Sequence, residues 1–413
     1  MTPPTLADLT AASFRIGCLG FGGPAGQIAL MHRIFVDEKK WLGEDEYLHA
    51  LNYCMLLPGP EAQQLATYAG WRLHGVRGGV IAGLLFVLPG ALIVFGLTWL
   101  YATLGTTPVV AALFYGIKAA VIGFILEALW KVGKRALKTV GDVALALLAF
   151  LSLFLFALPF PLVIAAAAAI GLARSFSAPA PADAAPQRAG PKAGRALATA
   201  FGWAAVWFAP VITAFLMLGP DHVLTRVGVL FSKLALVTFG GAYTVLAYLQ
   251  QQAVEAEGWL TAPQMIDGLG LAETTPGPLV LVNQFVGFMA GWGADGGGLA
   301  LAAMAALMAS WCTFAPSFVW IFAGAPFAET LRRNRFAAGI LAAITAAVFG
   351  IIAKIAVVFG LAVLVPEGGF DPFAALIAAG AAIALIRFRA NIVLVVLACA
   401  LAGLARLALL AGA

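Results

Sequence analysis

The chain of 413 residues is 62% hydrophobic and only 10% charged, whereas soluble domains carry about 25% charged residues. This balance excludes an ordinary soluble domain. The net charge of +5 arises mostly in short segments between apolar runs, which is typical of cytoplasmic loops and not of a nucleic-acid surface. The four cysteines show no CxxC spacing, so neither a disulfide framework nor a zinc site is expected.

The long apolar stretches predict an all-α, polytopic membrane protein. A bilayer accepts only helices or closed barrels, and the short alternating strands of a barrel are absent from the sequence. We expect about nine full spans, together with four segments that glycine or proline breaks in the middle. Full spans are predicted near 76–103, 108–130, 142–157, 160–173, 197–218, 299–323, 338–361, 373–386 and 390–411, and broken segments near 5–36, 44–73, 223–250 and 264–291.

Each arm of a broken segment has about 15 residues and reaches about 22 Å, which is less than the roughly 30 Å of a hydrocarbon core. Each segment is therefore a re-entrant hairpin or one interrupted span, and the hairpin is favoured. Residues 174–195 are rich in proline and alanine and lack a periodic apolar face, which predicts a flexible linker. It follows an N-terminal half at 1–173 and precedes a connector helix at 196–221 and a C-terminal half at 222–413.

The two halves carry the same motifs in one register. A shift of 218 residues carries Phe21-Gly22-Gly23 onto Phe239-Gly240-Gly241, and Pro58-Gly59-Pro60 onto Pro276-Gly277-Pro278. These two motifs are called FGG and PGP below. Three-residue motifs that recur twice without a gap predict an internal repeat.

The loop charges of the two halves are exchanged. The loop that holds Lys131, Lys134, Arg135 and Lys138 corresponds to the acidic loop Pro366–Pro372. Basic loops face the cytoplasm, so equivalent loops lie on opposite sides of the membrane. The halves are thus predicted to form an inverted-topology repeat, which is common in secondary transporters. This orientation places the N-terminus in the cytoplasm and the C-terminus outside.

The breaks are the first candidate site. A broken helix in a membrane must be buried in protein or line a cavity. Pro24 and Pro60 stand near the first turn of a following helix, where a missing N–H costs nothing, and the glycines let another group approach the backbone. Each break can then present N–H donors and a positive helix end to an anion. The alternative is that the breaks are kinks that only help the helices to pack.

Two cations match under the same shift, namely Arg15 and Lys233. A charge in mid-membrane costs about 3 kcal/mol or more and usually faces a cavity or a partner. Two positive charges related by pseudo-symmetry would suit a dianion. The alternative is that each side chain snorkels to the interface.

Further polar residues lie beside the breaks. Hydroxyls and amides donate hydrogen bonds to oxyanions, whereas a carboxylate does so only when it is protonated. Glu61 and Glu273 are therefore candidate proton carriers, although helix capping is as good an explanation for Glu61. The candidate substrate-binding residues are Arg15, Gly22, Gly23, Pro24, Gln27, Pro58, Gly59, Pro60, Gln63, Gln64, Lys233, Gly240, Gly241, Thr274, Thr275, Pro276, Gly277, Pro278 and Asn283.

Residues 21–90, which run from FGGP through WL and LPGP to LPG, resemble the signature region of the chromate transporter family. The whole chain resembles the long, two-domain form of that family. The second half has Ala242 where the first has Pro24, so its anion site is expected to be weaker or asymmetric. The resemblance implies export of chromate across the bacterial inner membrane, with sulfate as a chemical look-alike.

We therefore predict a secondary transporter that moves chromate by alternating access and is coupled to protons. A carrier of sulfate or another oxyanion is the first alternative, and a membrane-embedded enzyme is an alternative of another class. The sequence holds no Walker A run, HExxH or GxSxG motif, so no enzyme activity, cofactor or metal is expected. The expected partners are the oxyanion and the lipid bilayer, without nucleic acid, and a homodimer is left open.

Overall fold

A computed structural model describes residues 4–177, 193–239, 242–327 and 335–411. Within these ranges all regular structure is helical, which confirms the all-α class. In the described part, six helices are long and apolar enough to cross a membrane, and four shorter apolar helices accompany them. The figure of about nine full spans stays a prediction.

The helices follow the predicted spans to within a few residues, and several are extended by tighter or wider turns. A π-helical turn at Arg33–Glu38 continues the second helix, and another at Gln250–Ala256 continues the tenth. A short 3-10 turn at Leu279–Leu281 precedes the twelfth. The helices are α1 (Leu6–Leu19), α2 (Gly23–His32), α3 (Glu44–Cys54), α4 (Glu61–Leu104), α5 (Pro108–Ala136), α6 (Val140–Phe154), α7 (Phe160–Ser177), α8 (Ala193–Leu218), α9 (Val223–Val237), α10 (Ala242–Leu249), α11 (Ala262–Thr274), α12 (Val282–Trp292), α13 (Leu299–Gly324), α14 (Arg335–Leu364), α15 (Pro372–Ile386) and α16 (Ile392–Ala411).

The predicted linker is shorter than expected, because α7 continues to Ser177 and α8 begins at Ala193. Arg174 explains part of the difference. Its guanidinium donates to Asp142 at 3.2 Å and to the Gly141 carbonyl at 2.9 Å, which ties the end of α7 to the start of α6. A contact between residues so far apart in sequence leaves no periodic pattern. Residues 178–192 lie outside the described ranges.

Helix α4 reverses direction at His74 and Gly75, whose backbone angles are not helical. The two parts then run side by side, since a Cβ on Gly70 would lie 2.2 Å from the Gly78 carbonyl oxygen. The first part, 61–73, is thus the second arm of the predicted broken segment at 44–73. The second part, 76–104, is the predicted full span.

The broken segments fold back so that their two ends lie together. Glu46, at the start of α3, forms an ion pair with Arg72, at the end of the first part of α4. In the second half, Arg226 at the start of α9 pairs with Glu257, directly after the π-helical turn that follows α10. These contacts support the hairpin and not the interrupted span. They also give Arg226, which did not fit the loop-charge pattern, a carboxylate partner.

The hairpins of the two halves open at opposite ends of the molecule. Helix α4 leaves its turn at Gly75, and near its far end the Tyr101 hydroxyl donates to Asp267 at 2.9 Å, close to the outer end of a second-half hairpin. Helix α13 runs the other way, and near its far end the Phe322 ring packs on Gly79, close to the first-half turn. These two contacts support the predicted inverted arrangement.

Candidate functional site

Two hydrogen bonds join the breaks of the two halves. The Gly59 N–H donates to the Thr238 carbonyl at 2.9 Å, and the Gly277 N–H donates to the Gly20 carbonyl at 3.0 Å. The shift of 218 residues carries Gly59 onto Gly277 and Gly20 onto Thr238, so the two bonds are equivalent under the repeat. The PGP turn of each half therefore rests on the residue that precedes FGG in the other half.

Both central glycines of the PGP turns need their lack of a side chain. Gly59 has φ +112° and Gly277 has φ +99°, a region that side chains disfavour. The long helices also approach these turns closely beside their internal prolines. A Cβ on Gly90, next to Pro89, would lie 2.1 Å from the Pro276 carbonyl oxygen. In the equivalent place on α13, Ser317 faces Gly59, whose Cβ would lie 3.9 Å from the serine hydroxyl.

The second-half PGP turn has its polar groups satisfied. The Gln27 amide donates to the Gly277 carbonyl at 2.6 Å and to the Gly20 carbonyl at 3.0 Å. The equivalent position in the second half is Val245, which can form no such bond. Gln27 thus ties the first hairpin to the second-half turn, and the two PGP turns are chemically different.

Buried polar atoms without partners gather around the first-half PGP turn. Both amide atoms of Gln63, which is 1% exposed, have no hydrogen-bond partner in the part of the chain described. The same holds within those ranges for Gln64 Oε1, Asn283 Oδ1 and Ser317 Oγ. A buried unsatisfied polar atom costs about 1–3 kcal/mol. Several of them beside Gly59 indicate a place where a polar ligand completes the structure.

These residues have only a small space between them. A cavity open to a water-sized molecule over about 10 Å³ is lined by Gly59, Pro60, Leu234, Ala235, Thr238, Val280, Asn283 and Thr313. This volume is about that of a single water site. The centre is therefore closed, and a four-oxygen anion can enter only if the two halves separate.

Neither of the predicted cations lines this cavity. The Arg15 side chain is 49% exposed and its guanidinium lies 3.1 Å from Glu38, and Lys233 is also exposed. The reason is rotational: α1 buries Ile16 and Gly17, which turns Arg15 outward. The structure therefore does not bring Arg15 and Lys233 together with the breaks, and snorkelling describes Arg15 better.

We accordingly expect Arg15→Gln to have a small effect. An exposed ion pair contributes about 0–1 kcal/mol, so chromate affinity should change by less than about fivefold. Uptake measured over a range of chromate concentrations would check this, with Arg33→Gln as the control because Arg33 pairs with the same Glu38. A loss of two orders of magnitude in Arg15→Gln alone would return Arg15 to the site.

The remaining predicted residues fall into three groups. Pro24 opens α2 as expected, and Gly22 and Gly23 have positive φ but open surroundings. Thr274 and Thr275 donate to carbonyls of their own helix and not into the cavity. Gly240 and Gly241 lie outside the described residues.

The two candidate proton carriers lie near α5. Glu273 is buried and accepts a hydrogen bond from the Tyr243 hydroxyl at 2.5 Å, and the charges that act on it are Glu127 and Lys131 of α5. Arg135, four residues farther along α5, is the charge that acts on Glu61. Sequence reasoning missed Tyr243, although an aromatic hydroxyl directly after FGGA was a visible signal.

Comparison with known proteins places this architecture. The sequence model described as Chromate transporter matches residues 7–172 and 225–404. The chain belongs to the chromate transporter family. Both halves match, as the internal repeat requires, and no solved structure matches the chain.

Among relatives in the chromate transporter family, a chromate transport protein of Pseudomonas aeruginosa is 33% identical over 70% of this chain and 68% of its own length. A probable chromate transport protein of Synechococcus elongatus is 31% identical over 86% of this chain and 85% of its own. A chromate transport protein of Cupriavidus metallidurans is 29% identical over 84% and 81%, respectively. The relatives cover both halves, which supports a transport role for the whole chain.

Proposed function

We propose that this protein is a secondary active transporter that exports chromate across the bacterial inner membrane by alternating access. The observation that carries the proposal is the closed centre at Gly59, where unpartnered polar atoms meet the hydrogen bonds between the two halves. Family membership supplies the substrate class. Sulfate as an alternative substrate and a homodimer stay predictions from the sequence.

Chromate is a tetrahedral dianion, so its oxygens accept hydrogen bonds. The Gln63 amide and the Ser317 hydroxyl are unpartnered donors beside the first-half turn in the described structure. Pro60 caps α4 here, so the first turn of that helix adds N–H groups and the positive end of its dipole. Together these groups replace the water shell of the anion.

Alternating access follows from the inverted halves. Opening towards one side requires the PGP turn of one half to leave the FGG segment of the other, and the equivalent opening towards the other side uses the second bond. Because the two bonds are related by the repeat, the two open states would have similar backbone costs. The gradient then decides the direction of net transport.

Glu273 is the proposed proton carrier. It is buried beside Tyr243, and the charges of Glu127 and Lys131 lead from it towards the end of α5. A proton that enters as chromate leaves would conserve the direction of export.

The test is chromate uptake into inverted membrane vesicles, with and without a pH difference. Uptake that rises when the vesicle interior is acidic, and that excess chromate inhibits more than excess sulfate, is the expected result. Vesicles that contain the inserted protein yet take up no chromate would contradict the proposal. Stronger inhibition by sulfate would favour the other oxyanion carrier.

The orientation gives a separate prediction. Reporter tags inserted after Lys138 and after Arg335 should both report the cytoplasm, and a tag at Gly369 should report the outside, because basic loops stay inside. The control is the same tag at the N-terminus, which is expected to be cytoplasmic. Tags after Lys138 and at Gly369 that report the same side would contradict the proposed orientation.

A further inference from the structure

A lysine, an aspartate and a tyrosine meet between three helices, apart from the PGP turns. Asp267 of α11 is 3% exposed, and its Oδ2 accepts from the Tyr101 hydroxyl of α4 at 2.9 Å. The Lys118 Nζ of α5 lies 3.5 Å from the same oxygen. The other oxygen of Asp267, Oδ1, is buried and has no hydrogen-bond partner in the described ranges.

Lys118 is the cation that compensates Asp267 within the part of the chain described. The other elements that pack on α11 include α14 and α16. The cation of α14, Lys354, lies 3.6 Å from Glu255, and that of α16, Arg406, lies 3.4 Å from Asp371. Lys118 is 27% exposed at its side chain, so one end of this group is open to ions from outside the bundle.

A purely structural ion pair is a poor explanation for this group. Taking two charges out of water costs about as much as their attraction returns, and apolar residues of similar size often serve as well. The repeat offers an internal comparison, because His49 and Leu341 stand at the positions equivalent to Asp267 and Lys118. The first half thus builds the same hairpin without a carboxylate there.

We infer that Asp267 is a proton-binding site that couples proton movement to the motion of the α11 hairpin. This inference rests on the proposed transport function. A proton that binds Oδ1 neutralises the carboxylate and releases it from the Lys118 ammonium, and loss of the proton restores the pair. A metal cation does not suit this place, because the lysine would repel it.

The position of Asp267 links the proton to the centre. Helix α11 runs from Asp267 into the PGP turn at Pro276–Pro278, whose Gly277 is bonded to Gly20. The partners of Asp267 are on α4 and α5, which belong to the first half. Protonation therefore loosens a second-half hairpin from first-half helices, which is the movement that alternating access needs.

The experiment compares two modes of transport by purified protein in liposomes. One mode is chromate uptake driven by a pH difference, and the other is exchange of labelled for unlabelled chromate without a gradient. We expect Asp267→Asn to lose the stimulation by the pH difference by about tenfold or more, as for a coupling energy of 1–3 kcal/mol, while exchange stays within about threefold. Glu255→Gln, which removes the partner of Lys354, is the matched control and should keep both modes.

A second variant guards against misfolding. Lys118→Met combined with Asp267→Leu replaces the ion pair by apolar residues and should fold like the parent protein. Its exchange should persist without stimulation by the pH difference. Full stimulation in either variant would overturn the inference, as would equal loss of both modes in a normally folded variant. Absence of exchange in the unaltered protein would instead contradict the proposed function.

Discussion

Replacing Gly59 by leucine is expected to lower chromate transport by about two orders of magnitude while the protein still inserts into the membrane. The Cβ would lie 3.0 Å from the Gln64 amide nitrogen, and the backbone φ of +112° is strained for any side chain. Strain of this kind costs about 1–3 kcal/mol, and the side chain would also occupy the space beside the unpartnered donors. Uptake rates, normalised to the amount of protein in the membrane, measure the effect.

Gly96→Leu is the control for this prediction. Gly96 lies in α4, and no atom lies within 4 Å of the place that its Cβ would take. Its variant should transport like the parent protein. Normal transport by Gly59→Leu would mean that the PGP turn is only a packing kink, which was the alternative interpretation of the sequence.

Gln63→Leu is expected to raise stability and to lower transport at the same time. Removing a buried amide without partners relieves about 1–3 kcal/mol, which would raise the thermal midpoint of the detergent-solubilised protein by about 2–4 °C. The same change deletes a proposed donor to chromate, so transport should fall about tenfold. Opposite signs of the two effects distinguish a ligand site from a structural residue.

Gln251→Leu is the matched control, because Gln251 has the partners that Gln63 lacks. It accepts from the Phe160 N–H at 2.9 Å and donates to the Leu158 carbonyl at 3.0 Å. Its loss should lower the thermal midpoint and leave transport near that of the parent protein. A Gln63→Leu variant that is less stable and transports normally would remove Gln63 from the proposed site.

The elements that the sequence predicted are those set by local backbone chemistry. Glycine and proline fix where helices break, so the FGG and PGP turns and their recurrence at a shift of 218 residues were visible without coordinates. Loop charges gave the inverted arrangement for a similar reason, since each loop acts by itself. The ends of the helices were predicted to within a few residues, apart from the linker, where Arg174 extends α7 through a long-range contact.

The contacts that distinguish the two breaks could not be predicted. Gln27 bonds to Gly277 and Gln63 bonds to nothing described, yet both are glutamines near a break. Which of them has a partner depends on how the halves pack. The rotation of α1 likewise decided that Arg15 faces outward, because a shared register fixes the position along a helix but not the face that is covered. Asp267 and Lys118 lie far apart in sequence, so their pairing carried no local signal.

The reciprocal hydrogen bonds at the centre also limit how this chain can change over generations. Each bond takes its donor from one half and its acceptor from the other, so neither half contains a complete centre by itself. After the duplication that the repeat implies, a substitution at one PGP turn would be selected for its fit to the opposite copy. The two copies could therefore diverge at their surfaces, as the lysine-rich and acidic loops have done, but at the centre each had to preserve a matching surface for its sister.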